Sequence, residues 1–428
     1  MSPAAFNGGI KLLARYPSEI PELLQPPLPE EATVLMQQHL GEPCSLQVKK
    51  GALVQKGQIL GQSSKTTIHS PVSGKITNVD TNFVLPSAKN TTAVSIESDS
   101  SAEQESLTLQ AEDTLGLLIQ AGIHDSGQVS RPLLEKIQLA RTQQVHTLII
   151  SALDELLLRG SKIHLLARQG TEVEQGLKFL LRLTGAKQAV LAVYSPVLNQ
   201  LEPEKWNQGY IKILPVPPRH PLNMDKLLLL AAAGQECPAE KTLEDFGYSV
   251  FSAETAYTLQ QTASSKQPQL QKFLALDSPG LQGPKNMLVH IGTPLRQALE
   301  YAGLSLEDAG KVIVGGPLTG QAISNLDTPV TKDISQIMVL DREHIFQPSQ
   351  EACIKCGYCV DVCPMRLMPF LLSGFSEGGY YDMAAKNDIF SCIECGCCAY
   401  VCPAKIPMVQ WIQLGKSMLN AQRSQEHV

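Results

Sequence analysis

The sequence predicts a multidomain protein of mixed α/β and β class that closes in a small α-helical domain organised by cysteines. Three observations carry that expectation. A glycine-punctuated run alternates apolar and polar residues between Val48 and Ile76. Further on, the apolar runs Thr147–Ala152 and Gln188–Val193 flank an amphipathic stretch. Near the C-terminus one cysteine spacing occurs twice.

Residues 1–30 are expected to be an extended arm. Asn7-Gly8-Gly9 is followed by Pro17, Pro21, Pro26, Pro27 and Pro29, a composition that disfavours helix. Residues 31–100 read as short strands, with glycines at the turns from Val48 through Gly51 and Gly57 to Gly61, then on through Ile68 to Ile76. This looks like the barrel-sandwich hybrid fold of lipoyl and biotinyl carriers. Those carriers present a modifiable lysine at a tight turn, and Lys65 sits near that point. Its Ser-Ser-Lys-Thr-Thr setting lacks the flanking methionines, so a structural module is expected.

Residues 111–284 alternate helical and strand patterns, which predicts a Rossmann-like α/β domain. Leu115–Ala121 and Val173–Leu183 fit helices. The two apolar runs suit buried parallel strands, which lack the alternation of one-sided strands. Residues 285–340 form another unit: the strand pattern Met287–Ile291, a helix, then Lys311–Val314 leading into Gly315-Gly316-Pro317-Leu318-Thr319-Gly320. The pattern resembles a β-grasp (soluble-ligand-binding) domain. Its glycines suit either a phosphate cradle or a tight turn, and the turn is the commoner use.

The first cysteine copy is Cys353, Cys356, Cys359, Cys363-Pro364; the second is Cys392, Cys395, Cys398, Cys402-Pro403. Both read C-x2-C-x2-C-x3-C-P, the spacing of two-cluster ferredoxins, in which the fourth cysteine ligates the other cluster. Two [4Fe–4S] clusters are therefore expected in a ferredoxin domain at 345–415. Cys353, Cys356, Cys359 and Cys402 would hold one, and Cys392, Cys395, Cys398 and Cys363 the other. A single zinc favours four tetrahedral ligands, often as two separated knuckles. Disulfides need an oxidising compartment, and no secretory signal pattern is seen. Cys397 is out of register and not expected to ligate; Cys44 and Cys237 read as small buried hydrophobes. Residues 416–428 read as a polar, frayed tail. Lys355 and Glu394 occupy equivalent places in the two loops, so the first cluster's potential is expected to lie above the second's.

Composition removes several function classes. Thirty-five basic against 41 acidic residues give a net charge of −6, and without a basic run nucleic acid is not an expected partner. The longest strongly apolar stretch, Leu227–Ala233, is far short of the roughly 20 residues that span a membrane. His39, His69, His124, His146, His164, His220, His290 and His344 are scattered, with no nucleophile or metal-ligand spacing. No hydrolytic catalyst is expected.

Taken in order, the Gly8-Gly9 arm, Gln38-His39-Leu40-Gly41, Gln58 through Ile76, Gly315 through Gly320, Pro329-Val330 with Lys332, and both cysteine loops with Glu394-Cys395-Gly396 resemble the C subunit of the Rnf ion-translocating oxidoreductase family. The resemblance covers nearly the whole chain. It implies a peripheral subunit on the cytoplasmic face of the bacterial inner membrane. Its implied partners are the membrane subunits of the same complex, another iron–sulfur subunit among them, and a soluble redox carrier. It also implies hydride transfer from NADH to FMN, then single-electron transfer through the clusters.

The chain departs from that family where the flavin belongs. The family loop resembles Ala-Gly-Ile-x-Gly-x-Gly-Gly-Ala-Gly-Phe-Pro-Thr with a lysine three residues on. Here Ala121 through Leu133 keeps Gly127 and Pro132, followed by Lys136, but carries Asp125, Gln128, Val129 and Ser130. A glycine loop works because bare backbone N–H groups approach a phosphate closely, and Asp125 opposes that. The family's Glu-Cys-Glu-Pro becomes Leu153-Asp154-Glu155-Leu156, and its Tyr-Pro-x-Gly-x-Glu becomes His220 through Asp225; Glu254-Thr255-Ala256-Tyr257 is kept. Gly127 and Lys136 are thus remnants on which FMN stays open. With the flavin in doubt, ferredoxin, flavodoxin or a cytochrome becomes the expected donor. The alternatives are a soluble flavin-dependent corrin (cobalamin) reductase on the same scaffold and a docking subunit.

Overall fold

The structure is a computed structural model. It describes residues 8–11, 20–84, 90–99, 106–110, 113–127, 130–155, 160–206, 208–281, 283–345 and 349–426. Asn7, Pro17, Gln128, Val129 and Leu156 lie outside the described residues.

The N-terminal unit is a sandwich of two antiparallel sheets. One orders Glu31–Leu35, Asn90–Ser98, Gly74–Val84 and Leu53–Val54; the other orders Ser45–Leu46, Ile59–Gln62 and Thr67–His69. Val34, Leu60, Ile68, Ile76, Val94 and Ile96 are almost wholly buried between them. Each contributes roughly 1.5–3 kcal/mol relative to exposure. Lys65 donates to Gln138 Oε1 at 2.8 Å, which ties its turn to the neighbouring unit.

The central unit is a four-stranded, all-parallel sheet ordered Ile211–Val216, Gln188–Tyr194, Thr147–Ser151 and Tyr248–Ser252. Parallel pairing needs crossover connections. Gly170–Thr184 supplies one, running between Thr147–Ser151 and Gln188–Tyr194. The inner strand Thr147–Ser151 is buried along its length, which is why its sequence is continuous rather than alternating.

A mixed six-stranded sheet follows, ordered Leu23–Leu24, Lys285–His290, Gln271–Asp277, Gln336–Asp341, Ala309–Val314 and Gln321–Ile323. The strand Gln271–Asp277, which the sequence grouped with the preceding unit, pairs antiparallel with Lys285–His290. The boundary expected at 284/285 therefore falls inside a hairpin, because the backbone bonds of one strand are completed by the next. The arm contributes Leu23–Leu24, parallel to Asn286–Met287, and bridges to His220 through Ile10.

The C-terminal unit is helical and internally repeated. Lys355, Gly357 and Arg366 have φ of 56°, 83° and 55°; Glu394, Gly396 and Lys405, at the equivalent places, have 56°, 80° and 54°. The tail expected to fray from 416 belongs instead to one continuous helix, Met408–Glu426. Leu419 lies seven residues after Ile412, on the same face, and both are buried with Ile389 and Leu372.

Candidate metal centre and a sealed neighbouring loop

Two cavities open in the helical unit. One is lined by Cys353, Cys356, Cys359 and Cys402; the other by Cys363, Cys392, Cys395 and Cys398, with the out-of-register Cys397 also in its lining. Each takes three cysteines from one loop and the last cysteine from the other. The loops form because left-handed residues at 355 and 357, and again at 394 and 396, turn the backbone around the thiols. Short helices, Tyr358–Asp361 and Cys397–Val401, then carry each third cysteine and lead to the fourth.

Thiolates are the metal-binding form. Burial pushes the Cys392 thiol up to about 11 and the Cys398 thiol up to about 12. Cys395 is raised above the usual thiol range first by its hydrogen bond with Cys397 and then by burial. Such thiols ionise at neutral pH only with a cation beside them. Four cysteines line the first cavity and five, Cys397 included, the second, with neither carboxylate nor imidazole among the lining residues; this soft donor set fits an iron–sulfur cluster. Backbone N–H groups of Leu367 and Glu394 reach Cys363 Sγ and Cys392 Sγ at 3.4 Å.

The second loop is built into the body of the protein. His220 donates from Nε2 to the Cys395 carbonyl at 2.6 Å. Ile10 and Met224 pack on Cys397, which is wholly buried. Gly9 donates to the Val362 carbonyl at 2.8 Å. A Cβ on Gly8 would lie 3.1 Å from the Cys363 backbone, so the Gly-Gly arm is a close-approach device. The turn Gly315 through Gly320 lays Leu318 against Gly396. That is the use of the Gly-Gly-Pro run, and nothing in its spacing pointed to the cysteine loop.

Charges near the loops differ from expectation. Glu394 accepts from Lys416 at 2.6 Å and from Gln413 at 2.9 Å, so its charge is neutralised on the spot. Lys355 is exposed. The histidines are less scattered than their spacing suggests. His39 and His124 rings meet edge-on at 4.8 Å, and His124 Nε2 lies 3.0 Å from Thr66 Oγ1. Lys332 is buried beside them. Its backbone N–H reaches Gln38 Oε1 at 3.0 Å and its ammonium reaches the Gly122 carbonyl at 2.6 Å, joining the sandwich to the parallel unit. Burial lowers its pKa to about 7.

The described residues of the segment that the sequence compared with a flavin loop, 121–127 and 130–136, lie at the carboxyl end of the parallel sheet, where open α/β folds take ligands. Here that place is filled from within. Asp125 Oδ2 pairs with Lys136 Nζ at 2.5 Å, while Oδ1 accepts from Ser252 N at 2.9 Å and Thr255 Oγ1 at 2.6 Å. Lys136 also donates to the Val250 carbonyl and lies 4.7 Å over the Phe251 ring. Burial, the largest influence, acts to raise Asp125 and lower Lys136. The pairing outweighs it, so Asp125 ends below and Lys136 above its ordinary range. Gly127 faces the same carboxylate, 3.2 Å from where its Cβ would stand. Alongside, Glu254 pairs with buried Lys272 at 2.5 Å and accepts from Ser126 at 2.9 Å. With its lysine satisfied and a carboxylate in front of it, this loop does not fit a flavin phosphate.

Among the described residues no helix is long and apolar enough to cross a membrane. Residues 4–101 match the RnfC barrel sandwich hybrid domain, and residues 352–406 match a 4Fe-4S dicluster domain. The chain is 30% identical over 417 residues to the C subunit of the ion-translocating oxidoreductase complex of Rhodobacter capsulatus, covering 94% of this chain and 80% of that one. It is 28% identical over 433 residues to the C subunit of the proton-translocating ferredoxin:NAD(+) oxidoreductase complex of Clostridium ljungdahlii, covering 96% and 93%. A solved NAD+-reducing [NiFe]-hydrogenase in the air-oxidized state is 17% identical with a TM-score of 0.46, over 65% of this chain and 55% of that one.

Proposed function

Because the chain belongs to the family of C subunits of ion-translocating oxidoreductase complexes, we propose that it is the peripheral electron-transfer subunit of such a complex. It passes electrons between a soluble carrier and the membrane subunits, another iron–sulfur subunit among them, at the cytoplasmic face of the bacterial inner membrane. The observation that carries this reading is the pair of cysteine-lined cavities cross-tied between two loops. Bound there, two [4Fe–4S] clusters supply one-electron chemistry. We assign Cys353, Cys356, Cys359 and Cys402 as ligands of one, and Cys363, Cys392, Cys395 and Cys398 of the other. The parallel unit reads as Rossmann-like and the mixed sheet as β-grasp.

The surroundings of the two loops favour an order of the two potentials. Added negative charge is favoured where solvent and Lys355 lie close, at the first loop. It is disfavoured where Cys395 and Cys397 are walled by Ile10 and Met224. The first cluster is thus the better electron sink, and the exposed first loop is where electrons pass to a redox partner. Asp125 holds Lys136 away from any phosphate, so no hydride step runs through this loop. A one-electron carrier such as ferredoxin, flavodoxin or a cytochrome is the donor that suits it.

Anaerobic purification followed by iron, sulfide and flavin assays tests the proposal. About eight irons per chain are expected, two clusters of four, without stoichiometric FMN. NADH should leave the visible absorbance unchanged while reduced ferredoxin bleaches it. A colourless preparation, or one carrying zinc, would remove the relay; bound FMN with rapid bleaching by NADH would remove the altered input.

A further inference from the structure

The cysteine loops are repeats, yet their outer faces are treated differently. In the second loop Ile393, Gly396 and Cys397 form the face against the protein body. Ile393 packs into the core, Leu318 O would lie 2.6 Å from a Cβ on Gly396, and Ile10 with Met224 covers Cys397. The equivalent face of the first loop is Ile354, Gly357 and Tyr358. Ile354 is 68% and Tyr358 57% exposed, and a Cβ on Gly357 would meet nothing within 4 Å among the described residues. The backbone is the same in both, with φ of 83° at Gly357 and 80° at Gly396. A face that is an interface in one copy is thus open in the other, beside the exposed Cys353 and Cys356.

We infer that Ile354, Gly357 and Tyr358 form the docking face for the redox subunit that receives electrons from this chain, an inference that rests on the relay function proposed above. The covered loop states the chemistry of the occupant. It is a protein surface that lays close-approaching backbone on the glycine, as Leu318 does, and apolar side chains beside it, as Ile10 and Met224 do at Cys397. The one charge within this stretch is Lys355, where the buried loop has Glu394, so the occupant carries a carboxylate opposite Lys355. An exposed tyrosine and isoleucine around a glycine form the aromatic-and-apolar centre typical of interface cores. Seating a partner there also removes water from the more exposed cysteines and shortens the path for the electron.

The test uses the whole complex isolated from membranes. Wild-type chain, Ile354→Glu/Tyr358→Glu and Lys355→Glu are compared for recovery with the membrane subunits and for the rate at which those subunits oxidise the reduced chain. Iron content and the reduced-cluster EPR spectrum show whether each variant is folded and loaded. The double variant should keep its iron and lose on the order of tenfold or more in transfer rate. Lys355→Glu should lose less, with a weaker salt dependence than wild type. A photo-crosslinking residue at 358 should join the chain to a redox subunit, and one at the exposed Leu53 should not. Assembly and transfer at the wild-type rate by a loaded double variant would overturn the docking face alone. A wild-type chain recovered without membrane subunits would overturn the relay and the docking face together.

Discussion

Lys136 Nζ stands 2.5 Å from Asp125 Oδ2, with the aspartate side chain fully buried and the lysine side chain only 11% exposed. The lysine is thereby turned inward and satisfied by the chain's own groups. Removing one partner strands the other. Asp125→Ala should destabilise the protein by about 3–5 kcal/mol, whereas Asp125→Asn/Lys136→Met should recover most of that. Because Asp125 is held below its ordinary 3.8, its stabilising effect is present above that pH. It is lost as the pH falls through the lower folded value. Denaturant titrations of the three proteins between pH 3 and 7 measure both effects.

Gly357 and Gly396 share a left-handed backbone but not a neighbour. Gly357→Ala should cost about 1 kcal/mol, the strain of a Cβ at positive φ. Gly396→Ala should cost about 1–3 kcal/mol more, from overpacking against Leu318. Anaerobic unfolding followed by visible absorbance reads the difference; equal losses would deny that the turn 315–320 bears on the second loop.

Cys397 and Cys398 are adjacent but have different surroundings. Cys397→Ala should retain both clusters and lose only modest stability, since its thiol packs on Ile10 and Met224. Cys398→Ala should lose roughly half the iron, its thiol being one of the four assigned above to the second cluster. Iron and sulfide assays after anaerobic purification separate the two outcomes.

Lys332 is charged in the unfolded chain up to about 10.5, but burial lowers its folded value to about 7. Between those values the unfolded state binds the extra proton, so raising the pH favours the fold. Wild type should therefore gain stability relative to Lys332→Met from pH 7 to 9.5, by on the order of a few kcal/mol. A flat difference across that range would show that the ammonium stays charged against the Gly122 carbonyl.

Glu394 is paired with Lys416, which also donates to the Cys392 carbonyl at 2.6 Å. Lys416→Met should unmask the carboxylate and lower the potential of the second cluster by on the order of tens of millivolts. Lys355→Glu should lower the first by a similar amount. Redox titration monitored by EPR resolves the two, and a second cluster unmoved by Lys416→Met would show that Glu394 lies outside its field.

The two cysteine loops were readable in the sequence because a cluster loop is a local object. Three thiols two residues apart can face one point only if the backbone turns, and Lys355-Cys356-Gly357 turns within those few residues. The strands Thr147–Ser151 and Gln188–Tyr194 were readable for a similar reason, since burial on both faces leaves a continuous apolar run. What the sequence left open depends on distant segments meeting. His220 reaches Cys395, Leu318 covers Gly396, Gln271–Asp277 joins the later sheet and Lys136 takes Asp125. Spacing carries no trace of such partners, because a buried charge, a carbonyl or a strand edge accepts whichever matching group the packing delivers. Local geometry wrote the cysteine loops into the sequence; only the tertiary structure decided which loop is covered, which is open, and that the lysine of the remnant flavin loop is already satisfied.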